Sequence, residues 1–181
     1  GNNSVITRTW TATDDSGNVS TEDQVITVED TTAPTITAPA AVTVNVDAGT
    51  CEATGVALGN AIVSDNCDDD LVATNNAPLS FPLGDTTVTW TVTDDNSNTV
   101  TATQIVTVED DIVPDFSFVP LDLTVECDVD TTDTANTGGS ATATDNCDNN
   151  VEITYTDSTV NGIGNNSVIT RTWTATDDSG N

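Results

Sequence analysis

The stretch TTVTWTVTDDNSNTVTATQIVTVED, residues 86–110, decides the fold class. In its first half the apolar residues Val88, Trp90 and Val92 alternate with threonines. This period of two sends one set of side chains to the buried face of a sheet and the other to the exposed face. TVTATQIVTV, residues 99–108, alternates in the same way, and the intervening DDNSN has the composition of a turn. The segment reads as a β-hairpin with Val88, Trp90 and Val92 facing a core.

The hairpin recurs. TWTATDD at 9–15 matches TWTVTDD at 89–95, VITVED at 25–30 matches IVTVED at 105–110, and SDNCDDDL at 64–71 matches TDNCDNNV at 144–151, each 80 residues apart. GNNSVITRTWTATDDSGN opens the chain at 1–18 and is repeated without change at 164–181. A one-of-a-kind active site has no use for such repetition, whereas stacked modules do. The spacing divides the chain into the C-terminal part of one module (1–30), a complete module (31–110) and most of another (111–181), with residues like 19–30 expected to complete the last. The junctions, EDTTAP at 29–34 and EDDIVP at 109–114, have no Gly/Ser spacer, so neighbouring modules have little room to separate.

Composition narrows the function. Thirty acidic residues face two basic ones, Arg8 and Arg171, giving a formal charge of −28, and histidine and lysine are absent. Nothing could displace counterions from a nucleic acid, and neither a Ser-His-Asp triad nor a Schiff base can be assembled. No apolar run is long enough to span a membrane. Four cysteines at matched contexts, in a chain of 4% aromatic content, point to disulfides and an oxidising compartment, with zinc the competing use. About seven short β-branched runs per 80 residues, one tryptophan among them, suggest an all-β fold of tandem immunoglobulin-like β-sandwich modules in a rod-like array.

Three motifs now stand in order and twice over: paired cysteines with the second in DNC, the FPLGDTTVTWTVTDDNSN stretch at 81–98, and VTVED before a proline. Together they resemble the hyalin repeat (HYR) family, immunoglobulin-like modules of extracellular adhesion proteins. The threonine-rich, lysine-free style further resembles the long cell-surface adhesins of gliding Bacteroidetes. The resemblance implies a secreted, cell-surface, non-enzymatic stalk, whose partners are its neighbouring repeats and an extracellular surface or polysaccharide. A polysaccharide-binding role for each module is the alternative. One departure is the turn DDNSN at 94–98, where the repeated segments read DDSGN at 14–18 and 177–181.

Local pairing would join Cys51 to Cys67 and Cys127 to Cys147, each closing a loop worth about 3 kcal/mol in the loop-entropy model. Acidic residues recur at the turns (Asp14, Asp15; Asp94, Asp95; Asp177, Asp178) and at the junctions (Glu29, Asp30; Glu109, Asp110, Asp111), with Asp65 and Asp68 echoed by Asp145 and Asp148. Such oxygen-rich loops suit calcium, and also suit plain turns on a soluble acidic surface. The junctions are the favoured calcium positions. Asp-Thr/Ser steps make Thr86, Thr134 and Ser158 candidate O-glycosylation positions, and Asn2, Asn18 and Asn165 head N-x-S sequons.

Overall fold

The computed structural model describes residues 3–164 and 166–181, so Asn2 and Asn165 lie outside the described residues. The chain order begins β1 (Ser4–Thr13), β2 (Val19–Val28), β3 (Thr35–Thr37), β4 (Val42–Asn45) and β5 (Glu52–Thr54). It continues with β6 (Ile62–Ser64), β7 (Thr74–Asn75), β8 (Ser80–Pro82), β9 (Gly84–Thr93) and β10 (Thr99–Glu109). Last come β11 (Asp115–Phe118), β12 (Thr142–Thr144), β13 (Glu152–Asn161) and β14 (Ser167–Thr176). One 3₁₀ turn, Thr134–Thr137, is capped by Asp133 and closed by Gly138 in the left-handed region. The fold is all-β and immunoglobulin-like, with no α-helix among the described residues.

Two compact units divide the chain: residues 1–42, 56–79 and 85–106 form the first, and 43–55, 80–84 and 107–181 the second. Each unit contains one of the two junctions.

In the first unit β1 and β2 form a ten-pair hairpin in which Trp10 lies opposite Glu22. β3 pairs with β6, and β7 adds to β9. Val88, Trp90 and Val92 of β9 are 0%, 4% and 1% exposed, the face read from the alternation. β10 contributes Gln104 and Val106 to the same core. Gln104 is the polar member: its side-chain oxygen accepts the Trp90 indole N–H at 3.0 Å, and its amide donates to the carbonyls of Ala40 at 2.7 Å and Leu58 at 3.0 Å. A buried glutamine is tolerated because its hydrogen-bonding capacity is used, and it then ties two loops to the hairpin.

Trp10 occupies the place equivalent to Trp90 and makes the same indole bond, to Gln24 at 3.2 Å, yet is 58% exposed. The repeat reads Trp10, Trp90 and Trp173 as equivalent residues of an inward-facing strand, and for Trp10 that expectation is corrected here. Nothing among the described residues supplies β1 with a second neighbouring strand, and without it the face stays open. The repeated segment makes the same point twice. SVITRTWTAT pairs with the strand that follows it when it is β1 and with the strand that precedes it when it is β14. β9 uses both sides at once, lying between β10 and β7.

The departing turn has the same geometry as its relatives. Ser97 sits at φ 72°, where Gly17 has 82° and Gly180 90°. A serine there costs about 1–2 kcal/mol that glycine avoids.

In the second unit β5 pairs with β8, β11 with β12 and β13 with β14. Val46, Ala53, Phe81, Val108 and Ala141 are its buried apolar residues. Arg171 of β14 forms a two-pronged pair with Asp157 of β13, both bonds 2.8 Å, and lies 4.0 Å above the Tyr155 ring. It also donates to Thr131 O at 2.7 Å and to Thr137 Oγ1 at 3.1 Å, so one guanidinium holds the 131–137 loop on the hairpin.

The disulfide differs from both local pairings. Cys51 is bonded to Cys147, 96 residues away, with Cα atoms 4.9 Å apart. Topology explains why Cys51 does not meet Cys67: Cys51 leads into β5, which pairs with β8, whereas Cys67 follows β6, which pairs with β3 in the other unit. Cys147 is thereby removed from Cys127, which is exposed.

Candidate functional site at the module junctions

Each junction is a short run of chain held by side chains from the modules on both sides of it. At the first, Asp30 leaves β2 and becomes buried. Its N–H donates to Asn3 Oδ1 at 2.9 Å, and its carbonyl receives Asn98 Nδ2 at 3.4 Å. Asn3 in turn donates to Asn96 Oδ1 at 2.9 Å. At the second junction Asn181, the equivalent of Asn98, donates to the Asp110 carbonyl at 2.9 Å. That junction carries further ties. Asn45 Nδ2 donates to Asp111 Oδ2, Asn146 Nδ2 donates to Thr50 O at 2.7 Å, and the Cys51–Cys147 bridge lies beside them.

The turn asparagines reach the junctions because the turn aspartates hold them. Asp94 Oδ1 accepts the N–H groups of Asn96 and Asn98 at 2.9 and 2.8 Å, and its other oxygen accepts Asn98 Nδ2 at 2.8 Å. Asp14 with Asn18 and Asp177 with Asn181 repeat the arrangement. Burial pushes the Asp94 and Asp177 carboxyls up, but hydrogen bonds from Asn98 and Asn181 outweigh it and leave both below the ordinary carboxylate range. Both are therefore anions at neutral pH.

The junction and DNC aspartates share a second device. One carboxylate oxygen closes a local turn: Asp30 Oδ1 on Thr32 N at 3.0 Å, Asp110 Oδ1 on Ile112 N at 3.2 Å, Asp65 Oδ1 on Cys67 N and Asp145 Oδ1 on Cys147 N, each at 2.8 Å. The other oxygen, Oδ2 in all four, is buried without a hydrogen-bond partner. These aspartates converge. Asp30, Asp65 and Cys67 bring ligand atoms within 4.8 Å of one another, and so do Asp110, Asp145 and Asp177. Burial, then the negative charge of Asp30, Asp65 and Asp94, pushes the Cys67 thiol up.

The remaining acidic positions lie elsewhere. Glu29, Glu109, Asp15, Asp95, Asp111 and Asp178 are exposed, as is Asp14 in its open hairpin. Sequence reasoning noted Asp65 and Asp145 as recurrent but did not place them at the junctions. Their only signal was the Asp-Asn-Cys triplet. Of the glycosylation candidates, Ser158 is exposed on β13, while Thr86 and Thr134 are half-buried.

Residues 29–108 match the family model of the HYR domain. HYR domains are extracellular, adhesion-associated and non-catalytic modules, so the matched segment has the character of a cell-surface repeat. The HYR match begins at Glu29, beside the first junction, and ends at Val108, where the second begins. A search of curated proteins returned no match to the chain. No helix among the described residues is long and apolar enough to cross a membrane.

Proposed function

We propose that the chain is a segment of a long secreted surface adhesin in which HYR-like modules repeat in tandem as a stiff stalk, of the kind used by gliding bacteria. One observation carries the reading: equivalent asparagines, Asn98 and Asn181, grip equivalent junction carbonyls, Asp30 and Asp110. A module that captures the backbone entering it leaves no slack between neighbours, and bonds repeated at a fixed period propagate stiffness along an array. Rigidity of this kind suits the presentation of a binding tip far from a cell.

The junctions offer their own test. Glu29 and Glu109 are exposed beside backbone that is tied on the far side, so a glutamate-specific protease can reach the side chains but not bend the chain into its active site. Under native conditions both junctions are expected to survive digestion that cuts the unfolded chain at Glu29 and Glu109. Rapid native cleavage at either would show a loose linker and count against a stalk.

A further inference from the structure

The repeat builds a related acidic cluster twice. Asp30 and Asp65 stand where Asp110 and Asp145 stand, so at both junctions the residue entering the module meets the DNC aspartate; Cys67 completes the first cluster and the turn aspartate Asp177 the second. Asp30 and Asp110 are only 9% and 8% exposed, and the Oδ2 of each is buried with no hydrogen bond. The same is true of Oδ2 in Asp65 and Asp145. Buried carboxylate oxygens crowded together repel and desolvate one another, and proteins seldom retain such atoms without a cation to receive them. At the second junction Asn146 Oδ1 and Asp148 Oδ2, neighbours of Asp145 in the chain, are further buried oxygens lacking partners.

We infer that each junction binds one calcium ion, through Asp30 and Asp65 at the first and Asp110, Asp145 and Asp177 at the second. Hard oxygen donors of this number, carboxylate with amide or carbonyl, match calcium's demand for six to eight oxygens. A thiolate metal such as zinc fits only the first site, where Cys67 is near. Its counterpart Cys147 is held in the disulfide, yet the aspartate cluster persists around it. The ion therefore bridges the backbone entering a module to the DNC loop of that module. The proposal goes beyond the stalk reading and stands on these residues alone: a chain that binds calcium could still prove flexible, and a rigid one could bind none.

The test is isothermal titration of calcium chloride into the whole 181-residue chain. Two ions per chain are expected, with dissociation constants on the order of 10⁻⁴–10⁻³ M, as in extracellular modules. Asp65→Asn and Asp145→Asn each retain an oxygen to accept the Cys67 or Cys147 N–H while removing the charge. Each is expected to lower the count to one, and together they are expected to abolish binding, with the circular dichroism spectrum unchanged. A wild-type chain that takes up no calcium would overturn the inference. So would a double variant that binds as many ions as before, because the calcium would then be held diffusely by the acidic surface. Preference for zinc over calcium at the first site would overturn the choice of ion.

Discussion

Replacing Cys51 by serine is expected to lower the stability of the chain by about 4–5 kcal/mol, the loop-entropy value for a closed loop of roughly 100 residues. The size follows from the span of the bridge: Cys51 and Cys147 are 96 residues apart, so the bond restrains most of an unfolded second unit. Had each cysteine paired within its own loop, the same substitution would remove about 3 kcal/mol. Urea unfolding of the wild type, both single variants and the double variant measures the difference. The double variant should lose no more than either single one, because the two sulfurs make one bond. Peptide mapping without reductant supplies the decisive check: a linked pair of peptides containing Cys51 and Cys147 is expected, and a Cys51–Cys67 pair would refute the assignment. The functional meaning is direct. Cys51 belongs to the HYR-matched segment and Cys147 lies beyond it, so the covalent bond crosses the second junction.

Trp90→Ala is expected to cost about 3–5 kcal/mol, the range for truncating a large buried aromatic. Trp90 is 4% exposed, and its loss also strands the Gln104 oxygen in the core. Trp10→Ala is expected to change stability by no more than about 0.5 kcal/mol, because that ring is already mostly in solvent. Trp173, half-buried and 5.3 Å from the Tyr155 ring, should fall between them. Thermal or chemical unfolding of the three variants gives the order. Equal losses at Trp10 and Trp90 would mean that β1 and β2 carry a core of their own.

The alternation around Trp90 was sufficient to define the hairpin and its buried face, because side-chain direction in a strand is a local property. The repeat spacing was equally informative: it predicted that turns, DNC triplets and junctions would occur in matched sets, and Asp94 and Asp177 bear this out bond for bond. Pairing of the cysteines was not legible, since it depends on which short strands share a sheet. β5 and β8 are 25 residues or more apart, and nothing in their few residues names a partner. Gln104 was hidden for a related reason. A glutamine in an alternating strand looks like a solvent-facing residue until the carbonyls of Ala40 and Leu58 arrive over it. Asp65 and Asp145 were visible as acidic residues, but only the turn that engages one oxygen shows that the other is directed into the junction.

These features converge on the junctions, where backbone, asparagines, aspartates and one disulfide meet. Small-angle scattering on polypeptides carrying one, two and three copies of residues 19–181 in series tests the resulting stiffness. Because 164–181 repeats 1–18, each added copy continues the array in register. The maximum dimension is expected to rise in direct proportion to copy number. Growth closer to the square root of copy number, the behaviour of beads on a flexible string, would contradict the account.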